Sequence, residues 1–393
     1  MMHTHRTRRA RGVAAGLLAA FAALPMLCGA AGQADTPAAA PLYLAVPLDQ
    51  EGKLSEALPL YRAQAEKTVT KADRLRYAGA LLRAGHTDDA KAIYDQVARE
   101  TGSVEHGGAG AARGSAICAS SALANGFPAV AVPYAWQAHR LAPNDPSIAL
   151  LLVRALAANG DGATARSTLD EIAPDPKTWV IGERIELARC RLLTGDVQVA
   201  HQLLEGDVSE SVAQMFRDSI LANVALRQGE WTKAAEMLAE SERKVPPGLS
   251  DKRVDRAWRN TQRELWSVQL RRAISLWKAG NAEQAAVEAA NAHHSDEEYV
   301  RFAAGLLLAA ADLAGGRRSA ARARLQTLAG HDPRFVAAVS EFEQAPPGAT
   351  SGGKLQATLS GLDRSADFVA RPLCAIVAAA NSGAASLTAS SGR

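Results

Sequence analysis

Residues 217–238 read RDSILANVALRQGEWTKAAEML, and this stretch decides the fold. Its apolar residues recur with the 3.6-residue period of an amphipathic helix up to Gly229, and a second helical pattern follows. A glycine after a helix can adopt the left-handed conformation that ends it. Ala222 precedes this glycine, and Ala234 and Leu238 follow it. The stretch therefore predicts two helices joined by a tight glycine turn.

The same pattern recurs along the chain as a glycine, four residues, an alanine, three residues and an apolar residue. It begins at Gly52, Gly85, Gly126, Gly160, Gly195, Gly229, Gly280 and Gly316. The glycines are spaced by 33, 41, 34, 35, 34, 51 and 36 residues, and a period of about 20–50 residues indicates a solenoid. A second alanine stands seven residues before each glycine, with Val153 as the one exception. Since only small side chains let two helix backbones approach, both columns are predicted to lie where paired helices cross.

These features resemble the tetratricopeptide repeat (TPR) family over roughly residues 40–330. Pro143 and Pro246 match the proline that ends the second helix of that repeat. The resemblance implies an all-α, right-handed α-solenoid of about seven to eight TPR-like helical hairpins. The early aromatic residue of the family's first helix is missing from every unit. Pro41, Pro47 and Pro59 predict a degenerate first unit with poorly formed helices.

Composition and charge agree with a folded helical protein. The chain has 393 residues, of which 84 are alanine, the best helix former and a poor strand former, which argues against a β-sandwich or barrel. A hydrophobic fraction of 48% argues against global disorder. The formal net charge of +3 includes four arginines within the first 34 residues, so the remainder carries about −1. This balance gives no support to nucleic-acid binding.

The first 34 residues are predicted to be a secretory signal peptide. A basic segment precedes an apolar run over residues 13–27, and Ala34 ends a plausible cleavage site. We expect export through the Sec pathway to the periplasm, with outer-membrane association as an open alternative. An uncleaved anchor is the alternative to cleavage, while lipid attachment at Cys28 is disfavoured because Leu27 precedes it. No later apolar run is long enough for a transmembrane segment.

The predicted organisation is a repeat domain over residues 35–343, a linker over 344–354, capping helices over 355–380 and a disordered tail over 381–393. Residues 100–114 are glycine-rich and predict a loop. Residues 250–279 predict an extra or elongated helix that carries Trp258, Trp266 and Trp277 on one stripe. This stripe is either a partner-binding surface or core packing, and packing is favoured. The capping segment is expected to break at Pro372.

No motif predicts a catalytic, cofactor-binding or metal site. Residues 348–354 have the spacing of a phosphate-binding loop, but Leu355 stands where a serine or threonine is needed. Ser351 and Lys354 have the spacing of an acyl-enzyme pair, but they lie in the linker. His293 and His294 are adjacent, so on a helix they point about 100° apart and do not converge on a metal.

Three cysteines remain after removal of the signal peptide. Cys118, Cys190 and Cys374 lie in apolar helical segments and are predicted to be buried thiols. An intermolecular or regulatory disulfide is the alternative, since the number is odd.

The resemblance places the first helix of each hairpin on a concave groove that holds peptides or partner helices. Two columns, six and two residues before each turn glycine, would line it. Within these columns we predict that the partner is bound by six polar residues, which are Arg83, Arg154, Arg189, Asn223, Arg227 and Lys278. Arginine suits carboxylates and asparagine bonds an extended backbone, so the sequence predicts a polypeptide or acidic ligand. The alternative, that these charges only keep the groove soluble, stays open.

Repeat and signal peptide together imply a non-enzymatic periplasmic scaffold or adaptor. It would mediate protein–protein interactions in a cell-envelope assembly such as exopolysaccharide export, a pilus or a secretion system. The alternative is a periplasmic enzyme or carbohydrate-binding protein built on a helical superhelix. That function would need carboxylates converging in the groove, and the two columns contain none.

Overall fold

The computed structural model describes residues 40–67, 70–104, 108–172, 181–204, 211–245, 256–295, 297–337, 339–340, 353–362 and 367–381. The predicted signal peptide and nearly all of the predicted linker and tail lie outside these ranges, as does Pro246. Within them the chain forms α-helices and one short 3-10 turn, without a strand. No helix in these ranges combines the length and apolar character that crossing a membrane requires.

In the part of the chain that the structure describes, sixteen helices pair into eight hairpins, which confirms the predicted number of repeats. The first helix of each hairpin is called helix A and the second helix B. The hairpins are α1 (Ala40–Gln50) with α2 (Leu54–Lys67), α3 (Lys71–Arg83) with α4 (Thr87–Val104), α5 (Gly108–Ala124) with α6 (Pro128–Leu141), α7 (Pro146–Ala158) with α8 (Gly162–Ile172), α9 (Ile181–Leu193) with α10 (Val197–Leu204), α11 (Ser211–Gln228) with α12 (Trp231–Arg243), α13 (Arg256–Lys278) with α14 (Ala282–Ala292), and α15 (Glu298–Ala314) with α16 (Arg318–His331).

The turn between the two helices of each hairpin is made by a glycine in the left-handed conformation. All eight glycines predicted from the sequence have φ between 71° and 93°. At Gly85 the glycine N–H donates to the Leu82 carbonyl at 3.1 Å, and the next N–H, of His86, donates to the Leu81 carbonyl at 2.9 Å. These bonds satisfy carbonyls that the end of the helix leaves free, and a positive φ is readily available only to glycine.

The two predicted alanine columns lie at the crossing of the paired helices. All sixteen positions are at most 1% exposed: Ala45, Ala78, Ala119, Val153, Ala188, Ala222, Ala273 and Ala309 on the A helices, and Ala57, Ala90, Ala131, Ala165, Ala200, Ala234, Ala285 and Ala321 on the B helices. Larger side chains surround them and form the core. The close approach of the two helices therefore requires the small residues that the repeat supplies.

The glycine-rich stretch is helical over residues 100–104 and 108–114, the part of it that the structure describes, so the predicted loop is wrong there. Helix α4 continues to Val104 and helix α5 begins at Gly108. A Cβ atom on Gly114 would lie 2.7 Å from the Ala98 carbonyl oxygen, and one on Gly102 would lie 3.2 Å from the Cβ of Ala111. These glycines let α4 and α5 pack backbone against backbone, so they serve helix contact and not chain flexibility.

The first unit is also better formed than its prolines predict. Helix α1 runs through Pro47, and α2 runs through Pro59. Each proline removes one helical hydrogen bond, at a cost of about 3 kcal/mol. Burial of Ala45, Ala57 and Tyr61 within the first hairpin and against Ala80 of the next offsets this cost, because tertiary packing outweighs local propensity.

The long spacing before Gly280 is filled by an elongated helix. Helix α13 has 23 residues, and Trp266 and Trp277 pack partly buried against the hydrophobic core. The side chain of Trp258 lies outside the described residues. The part of the tryptophan stripe that the structure describes is therefore packing, as favoured from the sequence.

Two longer helices follow the last hairpin in the described ranges. They are α17 (Gly353–Leu362) and α18 (Asp367–Asn381), and α18 packs against α15 and α13. Helix α18 continues through Pro372, so the expected break there is wrong. Leu373 and Val377 are buried on the face that joins the core, which holds the helix together across the proline.

The last hairpin contacts the first. The imidazole of His331, at the end of α16, lies 2.6 Å from the carbonyl oxygen of Asp49 on α1. Close by, the Arg334 guanidinium donates to the carbonyl oxygen of Gly126 at 2.6 Å. The row of hairpins therefore turns back on itself and brings its two ends together.

Replacement of an alanine at a helix crossing tests the packing constraint. Ala165→Leu in α8 inserts a large side chain where the present one is fully buried, and we expect it to destabilise the protein by about 1–3 kcal/mol. Ala163→Leu, on the exposed side of the same helix, is the matched control and should have little effect. Urea unfolding followed by circular dichroism measures both. Equal unfolding midpoints for the two variants would contradict the proposed crossing.

Candidate functional site

The candidate site is the A-helix face, which we define as the surface formed by the residues six and two positions before each turn glycine, together with the side chains they contact. Consecutive A helices from α3 to α15 pack against one another. Residues at equivalent positions of successive hairpins therefore come to lie side by side. All six predicted site residues belong to this face.

Arg154 begins an ion-pair series on the A-helix face. Its Nη1 lies 3.3 Å from Oε1 of Glu186, on the next A helix. The other carboxylate oxygen of Glu186 lies 3.4 Å from Nε of Arg189, one turn further along α9. The Arg154 side chain stays 43% exposed, so it can still meet a ligand from solvent.

Arg189 extends this series into a buried cluster with α11 and α13. Its Nη2 donates to Oε2 of Glu264 at 2.9 Å, while Oε1 of Glu264 accepts from Nη2 of Arg271 at 3.0 Å. Arg271 also donates from Nη1 to Oδ1 of Asn223 at 2.6 Å, and Ser219 bonds both Glu264 and Arg271. Helix α13 is long enough to reach past α11 to α9, which brings Glu264 between the two arginines.

Electrostatics fix the charge of the Glu264 carboxylate. Burial alone would raise its pKa, but Arg189 and Arg271 outweigh burial and lower it to about 2. Burial in turn lowers the pKa of Arg271, while the facing carboxylates hold that of Arg189 above its ordinary value. The cluster is thus an ion-paired anion between two cations and not a poised proton donor.

The other three predicted residues have different surroundings. Arg83 is buried; it donates to Oδ2 of Asp49 at 2.5 Å and to Oδ1 of Asn125 at 2.9 Å. Arg227 is partly buried, which lowers its pKa. Lys278 is exposed, with its Nζ 5.7 Å from the centre of the Trp231 ring. The six residues therefore lie on one face without forming one continuous cluster.

Sequence reasoning missed the carboxylates of this face. Asp49, Glu186 and Glu264 lie outside the two columns, yet each contacts a column arginine. Glu186 could have been found from its position one helical turn before Arg189. Glu264 could not, because it lies in the part of α13 that exceeds the repeat and so has no counterpart in other hairpins. The two columns contain no carboxylate, but the A-helix face as a whole does.

The other side chains singled out from the sequence do not form a site. His293 is partly buried, which lowers its pKa, and its Nδ1 lies 3.1 Å from the carbonyl oxygen of Arg301, whereas His294 is exposed. The described ranges hold no group of three or more His, Cys, Asp or Glu side chains placed to bind a metal ion. Most of the phosphate-loop-like segment, including Ser351, lies outside the described residues, and Lys354 lies at the start of α17.

The cysteine prediction is confirmed. Cys118, Cys190 and Cys374 are buried and form no disulfide among the described residues. Burial raises the pKa of Cys118 to about 12, so its thiol is protonated and unreactive at neutral pH.

Eight hairpins that each combine a left-handed glycine turn with two small crossing residues define an all-helical repeat protein of TPR-like fold. No protein-family model matches the chain, and no curated protein sequence matches it. The crystal structure of the P58(IPK) TPR domain is similar at 12% sequence identity and a TM-score of 0.27, over 84% of this chain and 98% of that one. At so low a score the fold assignment depends on the hairpins themselves.

Removal of the Glu264 charge tests the buried cluster. Glu264→Gln leaves Arg189 and Arg271 without their shared anion, and we expect a loss of about 3–5 kcal/mol in the free energy of unfolding. Glu240→Gln on α12 is the control, because its side chain is 48% exposed and pairs with solvent-exposed Arg243. That change should cost less than about 1 kcal/mol.

The pH dependence of the free energy of unfolding also tests whether Glu264 is ion-paired. The pKa of Glu264 in the folded protein is about 2, below its ordinary value of 4.5. The stabilisation by this carboxylate is therefore fully present above the ordinary pKa and is lost as pH falls through the folded one. Urea unfolding between these two values should show a steeper loss of stability in the wild type than in Glu264→Gln. Parallel pH profiles would mean that the carboxylate is not ion-paired.

Proposed function

We propose that this protein is an exported, non-enzymatic scaffold that binds a protein partner along its A-helix face. The observation that carries the proposal is the side-by-side arrangement of A helices from successive hairpins. It forms an extended surface on which charged and amide side chains recur at the spacing of the repeat. Extended peptides and partner helices bind to surfaces of this kind in repeat proteins.

The partner-binding residues that remain accessible are Arg154 and Lys278. Arg154 keeps 43% of its side chain exposed, and Lys278 is exposed beside the Trp231 ring. Arg189 and Asn223 lie beneath them in the buried cluster and hold the A helices together. We infer that an acidic polypeptide segment contacts the accessible cations, while the buried charges set the shape of the surface.

The state of the carboxylates supports a scaffold over an enzyme. Acid–base catalysis needs a carboxyl group with a pKa close to the working pH and space for a substrate beside it. Glu264 has a pKa of about 2 and lies between two arginines. Glu186 is shared between Arg154 and Arg189. Both are therefore suited to structural ion pairing.

The expected place of action is the cell envelope. This part of the proposal is supported by the sequence of residues 1–34, with its basic segment, apolar run and cleavage site before Asp35. An adaptor in exopolysaccharide export, a pilus or a secretion system would combine such a leader with a protein-binding repeat domain.

Binding is tested by removing the accessible cations of the A-helix face. Arg154→Ala with Lys278→Ala should reduce in-cell crosslinking to the partner by at least about tenfold, since two charge-assisted contacts are lost. Lys233→Ala with Arg243→Ala is the matched control, because these side chains are 62% and 72% exposed on helix B of the sixth hairpin. Quantitative mass spectrometry of the crosslinked proteins measures the change. If both double variants retain the same crosslinks, binding along the A-helix face is refuted.

Export is tested separately by sequencing the N-terminus of the protein isolated from fractionated cells. We expect a chain that begins at Asp35 and fractionates with periplasmic markers. A chain that retains residues 1–34 in the cytoplasmic fraction would exclude export while leaving the binding proposal open.

A further inference from the structure

The contact between the first and last hairpins is made by a cluster of buried charged groups, which we call the junction. The junction consists of Asp49 on α1, Arg83 on α3, Glu298 and Arg301 on α15, and His331 on α16. His331 and Asp49 are 282 residues apart in the sequence. Asp49, Arg83, Glu298 and His331 are each less than a tenth exposed. A buried ionic cluster between the two ends of a repeat array is not required by the repeat, so it calls for its own explanation.

Both ring nitrogens of His331 face oxygen acceptors. Nδ1 lies 2.6 Å from the carbonyl oxygen of Asp49 and 3.0 Å from its Oδ1. Nε2 lies 3.0 Å from Oε2 of Glu298. A neutral imidazole has one N–H, so one of these contacts would set a nitrogen lone pair against an oxygen. With its N–H donated from Nδ1 to Asp49, a neutral ring can accept from the Arg301 guanidinium at Nε2 but makes no hydrogen bond to Glu298. Only the protonated ring donates to both Asp49 and Glu298, and so links α1 to α15.

Charged and titratable groups surround His331 on each of the elements that pack against it. Asp49 and Glu298 attract the imidazolium, Arg301 opposes it, and Arg83 lowers the pKa of both carboxylates. Arg301 contacts both Glu298 and His331, and Arg83 bonds Asp49 at 2.5 Å. Tyr61 on α2 donates to the same carboxylate at 3.0 Å. Asp332, next in sequence, is buried and paired with Arg334.

The balance of these effects favours the charged ring. Burial lowers the pKa of His331. The charge of Glu298 and the hydrogen bonds that the ring donates to Asp49 and Glu298 more than offset burial and the repulsion from Arg301, so the pKa is raised. The pKa of Asp49 is lowered to about 2 and that of Glu298 lies well below its ordinary value. Both carboxylates therefore remain anions at every pH at which His331 titrates.

We propose that protonated His331 fastens the last hairpin to the first, and that loss of this proton releases the junction and opens the closed row of hairpins. The direction of the effect follows from linkage. Because the folded pKa of His331 is raised, its stabilisation is fully present below the ordinary value and is lost as pH rises through the raised one. The protein is thus closed in mildly acidic solution and opens in alkaline solution.

Other contacts between the two ends of the row lie beside the junction and would separate together with it. The backbone of Gly52 lies against Thr327 and Gly330, and a Cβ atom on Gly52 would collide with the Thr327 carbonyl oxygen. Arg334 reaches across to the turn at Gly126 and stacks on Phe127 at 3.9 Å. These contacts are mainly polar or glycine-based, and their apolar members are the Phe127 ring and Leu362, which packs against Gly126. Their separation therefore exposes a limited apolar surface, and the charge of His331 contributes to whether they form.

Small-angle X-ray scattering of the full chain tests the proposal. The radius of gyration should increase between about pH 6 and about pH 9, while circular dichroism shows unchanged helix content. His331→Gln, which cannot carry the charge, should have the larger radius at both pH values. His294→Gln, which removes an exposed imidazole two residues beyond α14, should respond to pH as the wild type does.

A radius that does not change with pH in the wild type would overturn the proposal, as would a His331→Gln protein with the wild-type radius and pH response. If His331→Gln loses helix content, its radius of gyration is not used. The pH dependence of the radius in the wild type and in His294→Gln then tests the proposal, since neither protein carries a change at the junction. The measurement needs no partner, so its outcome is independent of the proposed scaffold function.

Discussion

The close crossing of two helices within each hairpin is the constraint on which the rest of the structure depends. Two helix backbones reach contact distance only where neither carries a large side chain, and the buried alanine columns meet this condition in every hairpin, with Val153 as the single larger residue. The left-handed glycine then fixes the angle at which helix B returns. Once both are set, each hairpin exposes the same two faces, and stacking of hairpins follows from burial of the larger apolar residues around the crossing.

This repetition also determines where charge can lie. The A helices lie side by side, so a charged residue at one position has neighbours at equivalent positions of the next hairpins. Like charges there would repel, and the chain avoids this by setting Glu186 and Glu264 between arginines. The buried pairs hold neighbouring A helices in register, while Arg154 and Lys278 remain open to solvent. One face thereby combines a rigid interior with an adaptable surface, a division that suits recognition of a flexible polypeptide.

The sequence predicts this fold well because its signals are local and repeated. The eight turn glycines, the two alanine columns and the elongated α13 all follow from spacing alone. The failures have a common cause, which is that tertiary packing overrode local preference. Gly114 reads as a loop residue but allows contact with Ala98, and Pro47 and Pro372 lie within helices that burial holds together. The candidate site was predicted only in part: the columns located the arginines, but Glu264 and the contact between Asp49 and His331 depend on distances between hairpins that no repeat pattern encodes.

The contact between His331 and Asp49 has a consequence for the order of folding. Most contacts in a stack of hairpins join residues close in sequence, so individual units can form early and independently. A bond across 282 residues carries a large loop-closure entropy, and it becomes favourable only after the intervening hairpins have shortened the distance between the chain ends. The first and last hairpins should therefore dock late.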